Sequence, residues 1–293
     1  MVNVYEQITN NKIRSGVIIS LFVLFISTAV YLISYSLNLD SSLLIIAIIF
    51  SLASSFGSYF WGDKIVLSLN QARPASRKEF FNFYTVTENL SLANLIPTPK
   101  IYIIDSPSMN AFATGRDPNH AVVCATTGLL EKLNRSELET VVAHELSHVK
   151  NYDIRLMTIV SVLIGTLSIL INMAYRSSLF RNSDDNDNNG GVLAVIGFVL
   201  IIFAPIIAQL IQLAISRRRE YFADASAVKL TRQPQSLINA LKKLSSDDKK
   251  LETASTATAS LYITNPFKGN KIASMFSTHP PIEDRIKALE QML

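Results

Sequence analysis

The sequence predicts an α+β membrane protein, in which transmembrane helices are joined to a mainly helical domain with a small antiparallel sheet. Three observations carry this. Of 293 residues, 49% are hydrophobic and only 17% charged, against roughly a quarter charged in soluble domains. The apolar excess is gathered into four blocks, each long enough to cross about 30 Å of hydrocarbon as a helix. Elsewhere helical periodicity dominates, interrupted between residues 100 and 125 by short runs rich in strand formers.

The blocks cover residues 16–37, 41–60, 156–174 and 192–215, the last containing Pro205, Gln209 and Gln212. The first is longer than the apolar stretch of a signal peptide and lacks an obvious small-residue cleavage site, so a retained span is expected. Lys12 and Arg14 precede it, and Lys64, Arg73, Arg77 and Lys78 follow the second block. Lys150 and Arg155 precede the third block, and Arg217-Arg218-Arg219 follow the fourth. The turn between blocks one and two carries only Asp40. Positive loops stay inside, so both termini and both large polar segments are expected on the cytoplasmic side. Four segments follow: a two-helix anchor (1–61), a first catalytic part (62–155), a second helix pair with its external loop (156–215), and a second catalytic part (216–293).

The net charge of +4 suits loops facing anionic lipid. No basic cluster interleaved with aromatics points to nucleic acid. The single cysteine, Cys124, excludes an internal disulfide and sits in an apolar run as a small core residue.

Within 62–155, residues 77–95 read as an amphipathic helix stopped by Pro97 and Pro99. Residues 100–104 read as a strand. Residues 110–114 and 120–125 read as an antiparallel pair around a Gly-Arg-Asp-Pro-Asn turn. Residues 129–133 form a short helix. Ser136 with Glu139 reads as a capping box that opens a helix to Lys150. In the last segment, 216–230, 234–246 and 280–292 read as helices, and 247–258 as a mobile polar loop.

On the helix ending at Lys150 lies His144-Glu145-Leu146-Ser147-His148. Positions i and i+4 share a helix face, so both imidazoles can reach one metal ion, and Glu145 beside them can take a proton from water. The pattern predicts zinc, one ion per chain, in a mainly helical zincin-like catalytic domain. A catalytic zinc usually has a third protein ligand. Glu220 and Asp224 share a helix face at the same spacing; Glu220 would bind the metal and Asp224 would hydrogen-bond the far nitrogen of a ligand histidine. His148 lies about 12 Å along a helix from the third block, and Glu220 about 7–8 Å beyond the fourth. Packed spans would therefore bring the ligands together near the membrane surface.

At these residues the chain resembles the HtpX-type membrane zinc metalloproteases of bacteria, gluzincins related to prenyl-protein proteases. The likeness takes in the four blocks, the Asn110-Ala111-Phe112-Ala113-Thr114-Gly115 segment, the zinc helix, Glu220 to Asp224, and Ser277-Thr278-His279-Pro280-Pro281. It implies that His144, His148 and Glu220 bind zinc and that Glu145 is the base. It also implies a multi-pass protein of the bacterial inner membrane. Such a protein would cleave damaged or misfolded membrane proteins at the cytoplasmic face, alongside an ATP-dependent membrane protease. His279 is a candidate donor to the oxyanion. Arg285 either assists the site or pairs with Asp224 or Glu283, and His120 reads as structural. Asn110, Ala111, Phe112 and Ala113 are a candidate edge strand for substrate backbone. The alternative from another class is a non-proteolytic adaptor or chaperone with a structural zinc.

Overall fold

The computed structural model describes residues 4–36, 42–179, 217–255, 257–267 and 280–293. Two long helices open the chain, α1 (Val4–Ser36) and α2 (Ser42–Leu69). Segments of each, Ile8–Thr28 and Leu44–Leu69, are long and apolar enough to cross a membrane. On α2, Ile45, Ile46, Ile49, Phe56 and Trp61 all face outward, while Ser51, Ser55 and Ser58 are buried. Ser51 and Ser58 donate to carbonyls three residues back on their own helix, so these hydroxyls need no water. The third apolar block lies within α6 (Asp153–Leu179), which packs on α1 through Leu156, Ile159, Leu163 and Leu167. The fourth block falls outside the described residues.

A four-stranded sheet follows: β1 (Arg73–Pro74), β2 (Lys100–Ile104), β3 (Ala111–Gly115) and β4 (Ala121–Thr126), in the order β1-β2-β4-β3. The pair β3 and β4 is antiparallel, but β2 runs parallel to β4, so the sheet is mixed rather than wholly antiparallel. All six residues of β4 and all five of β3 are buried: β4 has a strand on either side, and edge strand β3 is covered by Ile263 and Thr158.

Side chains alternate across the sheet. Ile101, Ile103, Ala111, Ala113 and Val123 point into a core completed by Phe83 and Val86 of α3 (Phe81–Ala93) and by Leu138, Val142 and Leu146 of α5 (Arg135–Lys150). Ile104, Phe112, Val122 and Cys124 point into a second core with Val66, Leu67, Met157 and Tyr262. The sheet is thereby wedged between α5 and the ends of the long helices, which fixes α5 on one side.

The short helix α4 (Thr127–Lys132) leads into α5. The cap of α5 is Asn134, not Ser136: the Asn134 side chain accepts from Glu137 N, and Glu137 returns a bond to Asn134 N, both at 2.9 Å. Asn caps at least as well as Ser, and Glu137 stands three residues on, so the box forms two residues earlier. Glu139 pairs with Arg135 at 3.1 Å instead.

Beyond the undescribed fourth block come α7 (Arg217–Thr231), α8 (Pro234–Ser246) and α9 (Ile282–Glu290). The segment 247–258, expected as a mobile loop, is packed down. Leu251 and Ala257 are buried, Asp247 accepts from Met109 N at 2.7 Å, and Thr258 donates to Asn70 at 3.0 Å. Its two apolar anchors are too sparse to make a periodic signal.

Candidate metal centre

One side of α5 is committed to the sheet by Leu138, Val142 and Leu146. The helical period puts His144 and His148 on another side, where α7 packs. Their Nε2 atoms face each other at 3.2 Å. Glu220 of α7 lies between them, with one oxygen 3.6 Å from His144 Nε2 and the other 3.6 Å from His148 Nε2. All three residues are buried, and their ligand atoms lie within 4.8 Å of one another. Two imidazole nitrogens and a carboxylate form a donor set able to hold a metal ion. Glu145, between the histidines in sequence, is 3% exposed.

Each histidine turns its other nitrogen to a carboxylate. His144 Nδ1 is 2.9 Å from Asp224 Oδ1, and His148 Nδ1 is 3.0 Å from Asp153 Oδ2. These contacts fix both ring orientations and turn both Nε2 atoms towards the centre. Asp224 is itself clamped: Arg285 Nε and Nη2 donate to its two oxygens at 2.8 and 2.7 Å. Arg285 thus engages Asp224 rather than Glu283. It is fully buried, and it also lies 3.6 Å from Glu220. Burial alone would raise the Asp224 carboxyl, but the Arg285 guanidinium outweighs it and brings it down to about 2. Burial likewise pulls His144 down, yet its bonds to Asp224 and Glu220 prevail and hold it up at about 9 without metal.

Sequence reasoning missed Asp153. It sits five residues beyond His148, past a sharp corner: α5 and α6 are bent by 83°, and Tyr152 takes φ 60°. A straight helix would carry position 153 off the His148 face. The signal available was an acidic residue directly after the motif. Its two further partners are Arg219 and Asn11.

His279 lies outside the described residues. His120 is exposed and bonds Asp117 and Arg116, each at 2.8 Å. Strand β3 stands at the sheet edge. Thr126 N donates inward to Asn110 O, which by the antiparallel alternation turns Ala111, Ala113 and Gly115 outward. Ala111 O accepts from Ile263 N at 3.0 Å, and Gly115 N donates to Thr158 at 3.1 Å. Ala113 is the outward position between them. Asn110 itself is buried, with its side chain tied to the backbone of Thr264.

Comparison with known proteins gives a consistent picture. The model of "Peptidase family M48" matches residues 84–293. A "Protease HtpX homolog" of Dictyoglomus turgidum is 41% identical, over 98% of this chain and 94% of its own length. One from Ligilactobacillus salivarius is 42% identical, over 98% of this chain and 99% of its own length. The crystal structure of S. mikatae Ste24p, 22% identical, aligns with 98% of this chain and 67% of its own, at a TM-score of 0.49.

Proposed function

The chain belongs to peptidase family M48 and is a metalloprotease; from that premise we propose that it is a membrane-bound zinc endopeptidase whose metal is held by His144, His148 and Glu220. The observation that carries the reading is the convergence of two imidazole Nε2 atoms and one carboxylate, with both Nδ1 atoms already on carboxylates. The two Nε2 atoms stand 3.2 Å apart, each lies 3.6 Å from a different oxygen of Glu220, and one donor atom from each of the three residues lies within 4.8 Å of the others, a donor set of the kind zinc takes.

Zinc bound there supplies Lewis acidity, drawing charge from a carbonyl and making water acidic near neutral pH. Glu145 is the base: it takes the proton of the attacking water and passes it to the leaving amine. Asp224 and Asp153 hold the two rings in the orientation the centre needs. Arg285, fully buried, offsets the charge of Asp224 and Glu220. A polypeptide segment added to the outer edge of β3 at Ala113 would be bound through its backbone, which tolerates many sequences. His279 is proposed as the donor to the oxyanion.

The two long apolar helices make this a membrane protein, and the substrates we propose are damaged or misassembled membrane proteins. That assignment draws on the family resemblance and on the loop charges, which favour a cytoplasmic site. The same resemblance supports cooperation with an ATP-dependent membrane protease. The test is casein digestion by pure protein with a chelator and after zinc is restored. Activity abolished by the chelator and recovered with zinc is expected; digestion indifferent to both rejects the reading.

A further inference from the structure

The two carboxylates behind the histidines are held from different parts of the chain. Asp224 is clamped by Arg285, both in the carboxy-terminal segment. Asp153 is held from α1. Asn11 Nδ2 donates to Asp153 Oδ1 at 2.7 Å and to the carbonyl of Asn151 at 3.0 Å. Asn11 is 3% exposed, near the amino-terminal end of the Ile8–Thr28 stretch of α1. The next residue, Lys12, lies 4.7 Å from the centre of the Tyr152 ring, and Arg155 lies 5.0 Å from it. Residues 151–153 form the corner between α5 and α6, where Tyr152 is in the left-handed region. A non-glycine residue stays there only when its surroundings hold it.

We propose that Asn11 is a positioning residue for the metal centre: it fixes Asp153, and through it the imidazole of His148. The membrane anchor then completes the metal site as well as tethering it. The proposal rests on the reading that His148 is a zinc ligand. Its physical basis is directional. Asp153 accepts from His148 through one oxygen and from Asn11 through the other. Removing the Asn11 amide takes away the short bond to Oδ1 and leaves Arg219 there at 3.5 Å, so the carboxylate can shift, the corner can relax, and the ring loses part of its preset orientation. Changes to such supporting partners typically cost about 10- to 100-fold in metal affinity.

The experiment uses the full chain in detergent and measures zinc affinity by competition with a chromophoric chelator. Asn11→Ala is expected to weaken binding by about tenfold, the lower end of the range for groups that bond a ligand directly. Ser15→Ala, one turn on, is the control: Ser15 is buried and, among the described residues, its hydroxyl donates to the Asn11 carbonyl and not to the corner, and affinity should not change. Asp153→Ala should weaken binding too, and Asn11→Ala added to it should cost little more, because both act along one path. The visible spectrum of the cobalt-substituted protein should shift in Asn11→Ala and not in Ser15→Ala. If Asn11→Ala fails to fold, Asn11→Ser, too short to reach the corner, is measured in its place with the same expectation. Affinity and spectrum unchanged in the Asn11 variant, or losses that simply add, overturn the proposal. A wild-type chain that binds no zinc overturns the metal reading itself, a distinct outcome.

Discussion

The helix α2 and the bundle of α5, α7 and α9 are built with opposite polarity. On α2 the outward positions are Ile45, Ile46, Ile49, Phe56 and Trp61, and the inward ones include three serines. In the bundle the interior holds Glu145, Glu220, Asp224 and Arg285, each no more than 5% exposed. The first arrangement suits a lipid solvent, where outward apolar groups cost nothing and the hydroxyls of Ser51 and Ser58 return to their own helix. The second is unfavourable unless every charge has a partner. Buried charge concentrated around one helix face is what a metal centre requires and what a purely structural core avoids.

That contrast can be attacked from both sides. The largest effect is expected from Glu220→Ala, which removes a ligand from the charged interior. Metal analysis of the purified variant should fall from about one zinc per chain towards none; full occupancy would place the third ligand elsewhere. Next is Arg285→Met, which removes the two-bond clamp from buried Asp224 and leaves it with the bond to His144. Loss of about 3–5 kcal/mol is expected, seen as a lower melting temperature in detergent. An unchanged melt would show that the guanidinium does not balance that carboxylate. On the other side, Ile49→Lys puts a charge on the outward face of α2. It should cost about 3 kcal/mol of insertion, read as a smaller membrane-bound fraction, and normal recovery in membranes would remove α2 from the lipid.

A smaller effect sharpens the charged side. Without metal, His144 stays protonated up to about pH 9. Its raised value means that zinc must displace a proton below that pH and need not above it. Zinc affinity should therefore rise about tenfold per pH unit from 7 and level off near 9. A flat profile over that range would mean that the ring is already neutral.

The two sides also differ in how readable they were. The cluster that could hold a metal was legible because a helix converts sequence spacing into a shared face: His144 with His148, and Glu220 with its neighbour Asp224. The paired strands β3 and β4 were legible from a turn between two short runs. What escaped depends on contacts remote in sequence. The parallel partnership of β2 with β4 joins strands that are not consecutive in the chain, which no local window reveals. Asp153 was hidden by the corner at Tyr152, and Asn11 meets it across 142 positions. The cap at Asn134 was missed for a local reason, since two overlapping pairs met the same pattern and the earlier one won.

The most direct test is Glu145→Ala, with zinc content and casein cleavage measured on one purified sample beside the wild type. The account predicts about one zinc per chain in both and cleavage by the wild type alone. Continued cleavage by the variant, or a folded wild type that takes up no zinc, would contradict it.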